Sequence, residues 1–327
     1  MEQDRNASPT PYRLNRLGVA ALGVAATGAG LAIASALLAR DAERKVPPDG
    51  HYLDVEGSTL HFVDHGSGPP IVMVHGLCGQ IRNFTHSLTA LLQQDHRIIA
   101  VDRPGSGYSI ARPGSEPSIR DQGRLVARFI DKLGLEKPLL VGHSLGGAVA
   151  LAAAMAAPKR ISGLVLLAPL TQPMDQVPEA FRMLQRDSSV GRAAVARLLG
   201  VPLGRLGRRV NERAIFGPDP APEDFGTRGG GLLALRPGNL DAAMYEIAAA
   251  RDDLEAMVPG YGSLELPTSI LFAREDQLLD PDVHGRRTAR AIPGAVFEEI
   301  EGGHMIPITH PEACARVIRA AYARLRR

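Results

Sequence analysis

The sequence predicts an α/β protein whose mostly parallel sheet is covered by helices on both faces. Short apolar runs, typical of buried strands, alternate along the chain with segments rich in helix-forming residues. This alternation stops between residues 169 and 266 and then resumes. With 327 residues, 45% of them hydrophobic and 22% charged, the chain is long enough for one such domain with an insertion. We therefore expect a helical cap over residues 169–266, at the strand ends where open sheets bind ligands.

The N-terminal part of the chain precedes this domain. Residues 1–16 are polar, whereas residues 17–39 contain no charged residue and are long enough to cross a bilayer as a helix. A single N-terminal transmembrane anchor, and with it a membrane location, is the favoured interpretation. The alternatives are a cleaved signal peptide, with residues 34–36 as the cleavage site and export of the domain, or a buried helix. Basic residues balance on the two sides of the segment, which leaves its orientation open.

The predicted α/β core comprises residues 51–168 and 267–327, and the charged, proline-containing residues 40–50 form a linker before it. The candidate strands are apolar or alternating runs: His51–Val55, Thr59–Asp64, Ile71–Val74, Arg97–Val101, Leu139–Val141, Gly163–Ala168, Pro267–Ala273 and Ala295–Ile300. The clearest helices are Ile119–Leu133, Ala148–Ala157, Val283–Ala291 and Pro311–Arg326.

The strand at Leu139–Val141 leads into Gly142-His-Ser-Leu-Gly146, which fits the pattern G-x-S-x-G between a strand and a helix. At such a tip a serine sits in a strained turn with its hydroxyl above the sheet, so Ser144 is the candidate nucleophile. Gly142 and Gly146 lack a Cβ where the strand and the helix approach each other. The pattern alone also fits a plain glycine turn, whereas a nucleotide-binding loop would need G-x-G-x-x-G.

Four motifs follow one another along the chain: His75-Gly76, Asp102–Gly107, Gly142–Gly146 and Gly302–His304. In their order and spacing they resemble the α/β-hydrolase superfamily, and the resemblance extends from residue 51 to residue 327. It is strongest to the bacterial hydrolases of this fold that have an inserted helical cap. The resemblance implies an eight-stranded, mostly parallel sheet and a catalytic triad of serine, acid and histidine in that chain order.

The resemblance places the acid after the strand that ends at Ala273, and the histidine after the last strand. Asp276 stands at the position of the family's acid, although Ala273 replaces the usual glycine. Glu275 is one residue out of register, and Asp280, which precedes a proline, is better suited to cap a helix. His304 lies in a glycine-flanked loop between the last strand and the last helix, as the family's base does.

The chemistry of the family assigns the backbone N–H groups of Leu77 and Leu145 to an oxyanion hole. It requires neither a metal nor a cofactor. Cys78 and Cys314, the two cysteines, have no metal-ligand spacing and are expected to be free thiols. The net charge of +2 is too small to indicate a nucleic-acid partner, because nucleic-acid-binding domains usually carry a large basic excess.

The serine at position 144 separates this chain from relatives that carry aspartate there. Haloalkane dehalogenases and most epoxide hydrolases of the fold use that carboxylate to open an alkyl carbon. A serine suits acyl carbons, so we expect a carboxylesterase- or lipase-like enzyme whose partner is a small hydrophobic ester or a lipid. Carbon–carbon bond hydrolases and cofactor-free perhydrolases or haloperoxidases also use serine and stay open. A non-catalytic ligand receptor on the same fold is a further alternative.

The predicted cap contains a strongly basic stretch. Six arginines and one acid, Glu212, lie between Gly191 and Arg213, interspersed with apolar residues. This pattern fits either a basic amphipathic surface that faces anionic lipid or a solvated helix face. Six other apolar cap residues either line an acyl pocket or belong to the core: Met183, Leu184, Leu232, Leu233, Met244 and Tyr245.

Overall fold

The computed structural model describes residues 16–185 and 188–325, and within them eight strands form one sheet. The strands are β1 (His51–Val55), β2 (Ser58–His65), β3 (Pro70–Val74), β4 (Arg97–Val101), β5 (Leu139–His143), β6 (Gly163–Leu167), β7 (Thr268–Ala273) and β8 (Val296–Ile300). Their order across the sheet is β1-β2-β4-β3-β5-β6-β7-β8. β2 pairs antiparallel with β1 and β4, and all other neighbours are parallel. The predicted sheet is thus confirmed.

Helices flank this sheet and form most of the segment between β6 and β7. They are α1 (Arg16–Lys45), α2 (Arg82–Thr85), α3 (Leu88–Leu92), α4 (Ile119–Lys132), α5 (Leu145–Ala156), α6 (Ser189–Ala194), α7 (Val201–Leu206), α8 (Arg208–Phe216), α9 (Pro237–Met257), α10 (Arg287–Ala291), α11 (Ile306–Thr309) and α12 (Pro311–Arg324). Short 3₁₀ turns lie at Pro158–Arg160, Glu179–Leu184, Leu233–Leu235 and Val258–Ser263. π-Helical turns lie at Val195–Gly200 and Pro281–Arg286.

The central parallel strands are apolar because both of their faces are covered. Every residue of β5, β6 and β7 is buried, which is typical of strands that have helices on both sides. The carboxyl ends of parallel strands meet at one edge of a sheet. The loops that follow β3, β5, β7 and β8 therefore lie together at that edge, and the candidate catalytic residues are on these loops.

The helices between β6 and β7 form the inserted cap of the predicted fold. From Ser189 to Phe216 the chain is helical almost without a break, because α6, a π-helical turn, α7 and α8 follow one another directly. α9 packs on α6 and on the π-helical turn and also contacts α4 of the core. Ala196, Val201 and Leu240 belong to a small buried cluster separate from the main core. The cap thus has apolar packing of its own.

α1 contains the predicted membrane segment, residues 17–39, and continues to Lys45 through the first half of the predicted linker. In the part of the chain that the structure describes, no helix combines the length and the apolar character needed to cross a membrane. The predicted transmembrane anchor is therefore not supported; the segment is rich in alanine and glycine, which are only weakly hydrophobic. Asp41 near the end of α1 pairs with Arg205 of the cap at 3.1 Å. The predicted polar tail lies outside the described residues except for its last residue.

A buried histidine–aspartate pair connects the sheet to the segment before β1. His61 on β2 binds Asp102 Oδ2 through Nδ1 at 2.7 Å, and its Nε2 donates to the carbonyl of Asp49. Asp102 also accepts the N–H groups of Ile81 and Tyr108, each at 2.8 Å. Burial disfavours the charged form of His61, but the Asp102 carboxylate and the Asp49 carbonyl outweigh it, and the pKa of His61 is raised.

Replacing His61 by glutamine is expected to destabilise the protein most at slightly acidic pH. Because the pKa is raised in the fold, protonated His61 stabilises the protein below its unfolded-state pKa of about 6.5, and this contribution is lost as the pH rises through the folded-state pKa. We expect a cost of about 3 kcal/mol near pH ~6, falling toward ~1 kcal/mol near pH ~9, where only a neutral hydrogen bond is lost. Urea unfolding at both pH values measures the difference, and a cost that grows with pH would contradict it.

Candidate active site

Ser144 occupies a strained turn between β5 and α5. Its φ of 54° and ψ of −123° lie outside the regions that L-residues favour. Two glycines permit this turn. A Cβ on Gly142 would lie 2.4 Å from the carbonyl oxygen of Gly146, and a Cβ on Gly146 would lie 2.1 Å from that of Val74. The close approach of β5 and α5 that the sequence predicted is therefore present at Gly142, whereas Gly146 approaches the end of β3 instead.

The loop after β3, residues 75–77, lies against Ser144 and is the candidate oxyanion loop. A Cβ on Gly76 would be 2.8 Å from the Cβ of Ser144, so only glycine permits this approach. Leu77 directly follows this glycine, and Leu145 directly follows Ser144. The two residues predicted to offer oxyanion donors thus flank the same serine.

A buried arginine lies behind the candidate oxyanion loop. Arg103 donates from Nε to the carbonyl of His75 and from Nη2 to the carbonyl of Gly76, both at 2.9 Å. Its Nη1 donates to Gln122 at 2.9 Å, and both terminal nitrogens bind the carboxylate of Glu246 on α9. All five side-chain N–H groups of Arg103 therefore have a partner. Because the carbonyl and the N–H of a trans peptide point in opposite directions, the bond to the Gly76 carbonyl fixes the next N–H facing away from Arg103.

The sequence analysis did not find the roles of Arg103 and Glu246. The two residues are 143 positions apart, and Glu246 lies in the cap, where the sequence pattern is weakest. A usable signal was present at the carboxyl end of β4, where Asp102 and Arg103 follow a buried strand directly. Charges at such a position must be paired when they are buried, so a partner elsewhere in the chain was to be expected.

His304 and Asp276 form a buried hydrogen-bonded pair. His304 Nδ1 lies 2.7 Å from Asp276 Oδ2, while Asp276 Oδ1 accepts the N–H groups of Leu278 and Leu279 at 2.8 and 3.0 Å. Burial would raise the pKa of Asp276, but His304 and the two backbone N–H groups outweigh it, and the pKa is lowered. The aspartate is therefore a carboxylate at neutral pH. The hydrogen bond between His304 and Asp276 requires the proton of the neutral imidazole on Nδ1, which leaves Nε2 of His304 as an acceptor.

The two rival acids make other contacts. Glu275 Oε2 accepts the N–H of Gly302 at 2.6 Å, which ties it to the loop that carries His304. Asp280 caps the helical turn Pro281–Arg286, as the sequence predicted. Of the three candidate carboxylates in the described part of the chain, only that of Asp276 is hydrogen-bonded to His304.

Two further histidines near the site hold backbone groups. His143 Nε2 donates to the carbonyl of His304 at 3.0 Å, and burial together with the neighbouring His304 lowers the pKa of His143 to about 3. His75 Nε2 accepts the N–H of Arg103 at 2.9 Å, and its Nδ1 donates to the carbonyl of Gly76 at 2.8 Å. Burial and the charge of Arg103 hold the pKa of His75 well below its usual range. Both rings are thus neutral at pH 7.

A cavity of about 310 Å³ opens over Ser144 and His304. The candidate oxyanion loop and the cap form its walls, which are largely apolar, and an ion pair between Arg208 and Glu212 at 2.6 Å lies on one side. Of the six apolar cap residues considered from the sequence, two line the cavity: Met183 and Leu184. The other four do not line it, and three of these are buried elsewhere in the cap: Leu232, Leu233 and Met244.

Ser144 and His304 both line this cavity. Within the described residues their side chains form no hydrogen bond with each other, whereas His304 is hydrogen-bonded to Asp276. The same part of the chain contains no group of three or more side chains that would hold a metal ion. Cys78 and Cys314 are free thiols, as the sequence predicted.

A family model described as the alpha/beta hydrolase fold matches residues 69–311. Haloalkane dehalogenase 2 of Mycobacterium bovis is 26% identical over 286 residues, which cover 83% of this chain and 94% of that protein. A thermophilic esterase from Thermogutta terrifontis is 24% identical, with a TM-score of 0.63 over 84% of this chain and 99% of that one.

A shorter match covers only part of another protein. The dihydrolipoyllysine-residue acetyltransferase component of the acetoin cleaving system of Cupriavidus necator is 33% identical over 120 residues. This match covers 36% of the present chain and 32% of that protein, so it spans about a third of the relative's length. The names of these relatives cover several reactions, and the substrate has to be argued from the site itself.

Proposed function

The chain belongs to the α/β-hydrolase family, and from this premise we propose that it is a serine hydrolase that cleaves a hydrophobic carboxylic ester. Ser144 is the proposed nucleophile, His304 the base, and Asp276 the residue that orients and stabilises the base. The observation that carries this proposal is the buried hydrogen bond of 2.7 Å between His304 and Asp276, beside the cavity that Ser144 also lines.

The reaction begins when Ser144 Oγ attacks the carbonyl carbon of the ester. His304 Nε2 takes the hydroxyl proton and then gives it to the leaving alkoxide as the acyl-enzyme forms. Asp276 keeps the proton of the neutral imidazole on Nδ1 and stabilises the imidazolium between the two transfers. Water then attacks the acyl carbon while His304 accepts its proton. His304 passes this proton to Ser144 Oγ as the acyl–Oγ bond breaks, and the carboxylic acid is released. In unliganded enzymes the hydrogen bond between base and nucleophile is often long and tightens with substrate.

The backbone N–H groups of Leu77 and Leu145 are the proposed oxyanion donors. Leu145 is the first residue of α5, so the positive end of the helix dipole adds to its N–H group. The orientation of the Leu77 N–H is supported by the bond from Arg103 to the preceding carbonyl. Loss of one such donor typically raises a barrier by about 3 kcal/mol.

The apolar lining of the cavity supports a hydrophobic acyl chain as the substrate group. Each buried methylene contributes about 0.8 kcal/mol, so kcat/KM is expected to rise about fourfold per methylene until the cavity is filled and then to fall. Hydrolysis of a chain-length series of p-nitrophenyl esters by the full chain measures this profile. A rate that is independent of chain length would contradict an acyl site in this cavity.

An activated fluorophosphonate tests the nucleophile independently of the choice of ester. We expect covalent labelling at Ser144 and none in the Ser144→Ala variant. A folded protein that neither turns over any ester nor reacts with the probe would favour a non-catalytic ligand receptor. Peroxide-dependent oxidation in acetate, without ester turnover, would instead favour a cofactor-free perhydrolase.

A further inference from the structure

We propose that the outer face of the cap docks onto a membrane surface that carries anionic lipid. Half of the exposed large apolar side chains of the described residues lie between positions 183 and 210: Met183, Val190, Leu199, Leu203, Leu206 and Val210. Soluble proteins rarely expose apolar side chains in such concentration except where they bind another surface. This concentration singles out the cap as an interaction surface.

Four of these side chains form what we call the docking stripe: Leu199, Leu203, Leu206 and Val210. They follow one another at intervals of four, three and four residues, which places them on one face of a helical segment. Leu206 is 87% exposed and Val210 is 64% exposed, although both lie in regular helices. Neither Leu206 nor Val210 therefore has a packing role that explains its apolar character.

The docking stripe is continuous with the cavity over Ser144. Leu199 and Leu203 belong to the stripe and also line the cavity, and the exposed Met183 lines it as well. An apolar molecule in a surface beneath the stripe would thus reach the cavity without crossing bulk water. Such delivery rests on the proposed function, whereas binding of the surface does not.

The charges beside the docking stripe favour an anionic partner. Arg197, Arg209 and Arg213 are exposed and form no ion pair with the residues that the structure describes. Arg209 and Arg213 follow Leu206 by three and seven residues, so they lie on the side of the helix that carries the stripe. In a symmetric dimer through this face the same arginines would approach one another, and like charges repel. A lipid surface with negative headgroups accommodates both the apolar and the basic residues.

Cosedimentation of the full chain with lipid vesicles tests this inference. We expect binding to vesicles with about one third phosphatidylglycerol, weaker binding to phosphatidylcholine alone, and loss of the difference at high salt. Arg209→Gln with Arg213→Gln should weaken binding to the anionic vesicles about 25-fold, since each arginine near such a surface contributes about fivefold. Leu206→Ser with Val210→Ser should weaken it at least ~10-fold, because two inserted side chains are lost.

Matched double variants elsewhere on the surface serve as controls. Arg287→Gln with Arg290→Gln removes two exposed arginines that form no ion pair in the described structure. Ile110→Ser with Val296→Ser removes two exposed apolar side chains from the surface of the α/β domain, outside the cap. Both are expected to bind vesicles within about twofold of the wild type. Thermal unfolding shows that every variant is folded, without recourse to turnover.

Three results would overturn the inference. The first is a wild-type chain that does not bind vesicles or binds neutral and anionic vesicles equally. The second is binding that the docking-stripe and arginine variants leave unchanged. The third is self-association of the wild type that Leu206→Ser with Val210→Ser abolishes, without vesicle binding, which would assign the face to a second copy of this chain. Each of these results is measured as vesicle binding or self-association and not as ester hydrolysis. A failure of the ester-hydrolase proposal can therefore be distinguished from a failure of this inference.

Discussion

Replacing Ser144 by alanine is expected to lower kcat/KM for a p-nitrophenyl ester by roughly 10⁴- to 10⁶-fold. The variant retains the cavity and the two proposed oxyanion donors, so a residual rate above that of water is expected. The fold should tolerate the change, because alanine is smaller than serine and adds no atom to the tight turn. Steady-state kinetics with a thermal-unfolding control measures the effect, and a loss below about tenfold would show that Ser144 is not the nucleophile.

Variants of the other two residues test whether they act with Ser144 as one unit. Asp276→Asn should cost about 10⁴-fold, because the amide favours the wrong tautomer of His304. Adding His304→Ala to Ser144→Ala should cost little more than the single serine change, since residues of one unit are strongly non-additive. Multiplicative losses in the double variant would mean that the two side chains act in separate steps.

The sheet and its loops were predictable because their signals are local. A parallel strand covered on both faces is mostly apolar, and β5, β6 and β7, which are buried at every position, each contain such a run. The turn at Ser144 was predictable because glycine is needed wherever a Cβ would meet backbone, as at Gly142 and Gly146. These features depend on a few neighbouring residues, and a single sequence displays them. The candidate acid and base came instead from the resemblance to the α/β-hydrolase superfamily, which places them after β7 and β8.

The transmembrane prediction for residues 17–39 rested on their uncharged length, but α1 has no stretch that is apolar enough to cross a membrane. The cap was less predictable because long-range packing decides its structure. The bounds of α6 to α9 could not be drawn from helical patches broken by proline and glycine. The ion pair between Arg103 and Glu246 joins residues that are 143 positions apart in the sequence, and no local sequence pattern predicts such a pair.

Glu246 is the residue whose replacement is expected to affect stability most among those considered. Both partners of its ion pair with Arg103 are at most 3% exposed. Glu246→Gln would leave the Arg103 charge buried without a counter-ion, and removal of one partner from such a pair costs about 3 to 5 kcal/mol. Glu255→Gln on the same helix is the matched control, because its pair with Arg251 is about half exposed and should cost less than ~1 kcal/mol. Denaturant unfolding compares the two variants.

The same pair also tests whether the cap positions the candidate oxyanion loop. Replacing Arg103 and Glu246 together by methionine should recover part of the stability, since apolar residues often substitute for a buried ion pair without loss. The bonds from Arg103 to the carbonyls of His75 and Gly76 would still be missing. We therefore expect kcat to stay at least ~10-fold low in a variant that is stable again, with KM little changed, as for an interaction that counts mainly in the transition state. Recovery of kcat together with stability would mean that the pair only holds the fold together, and that the loop keeps its conformation without Arg103.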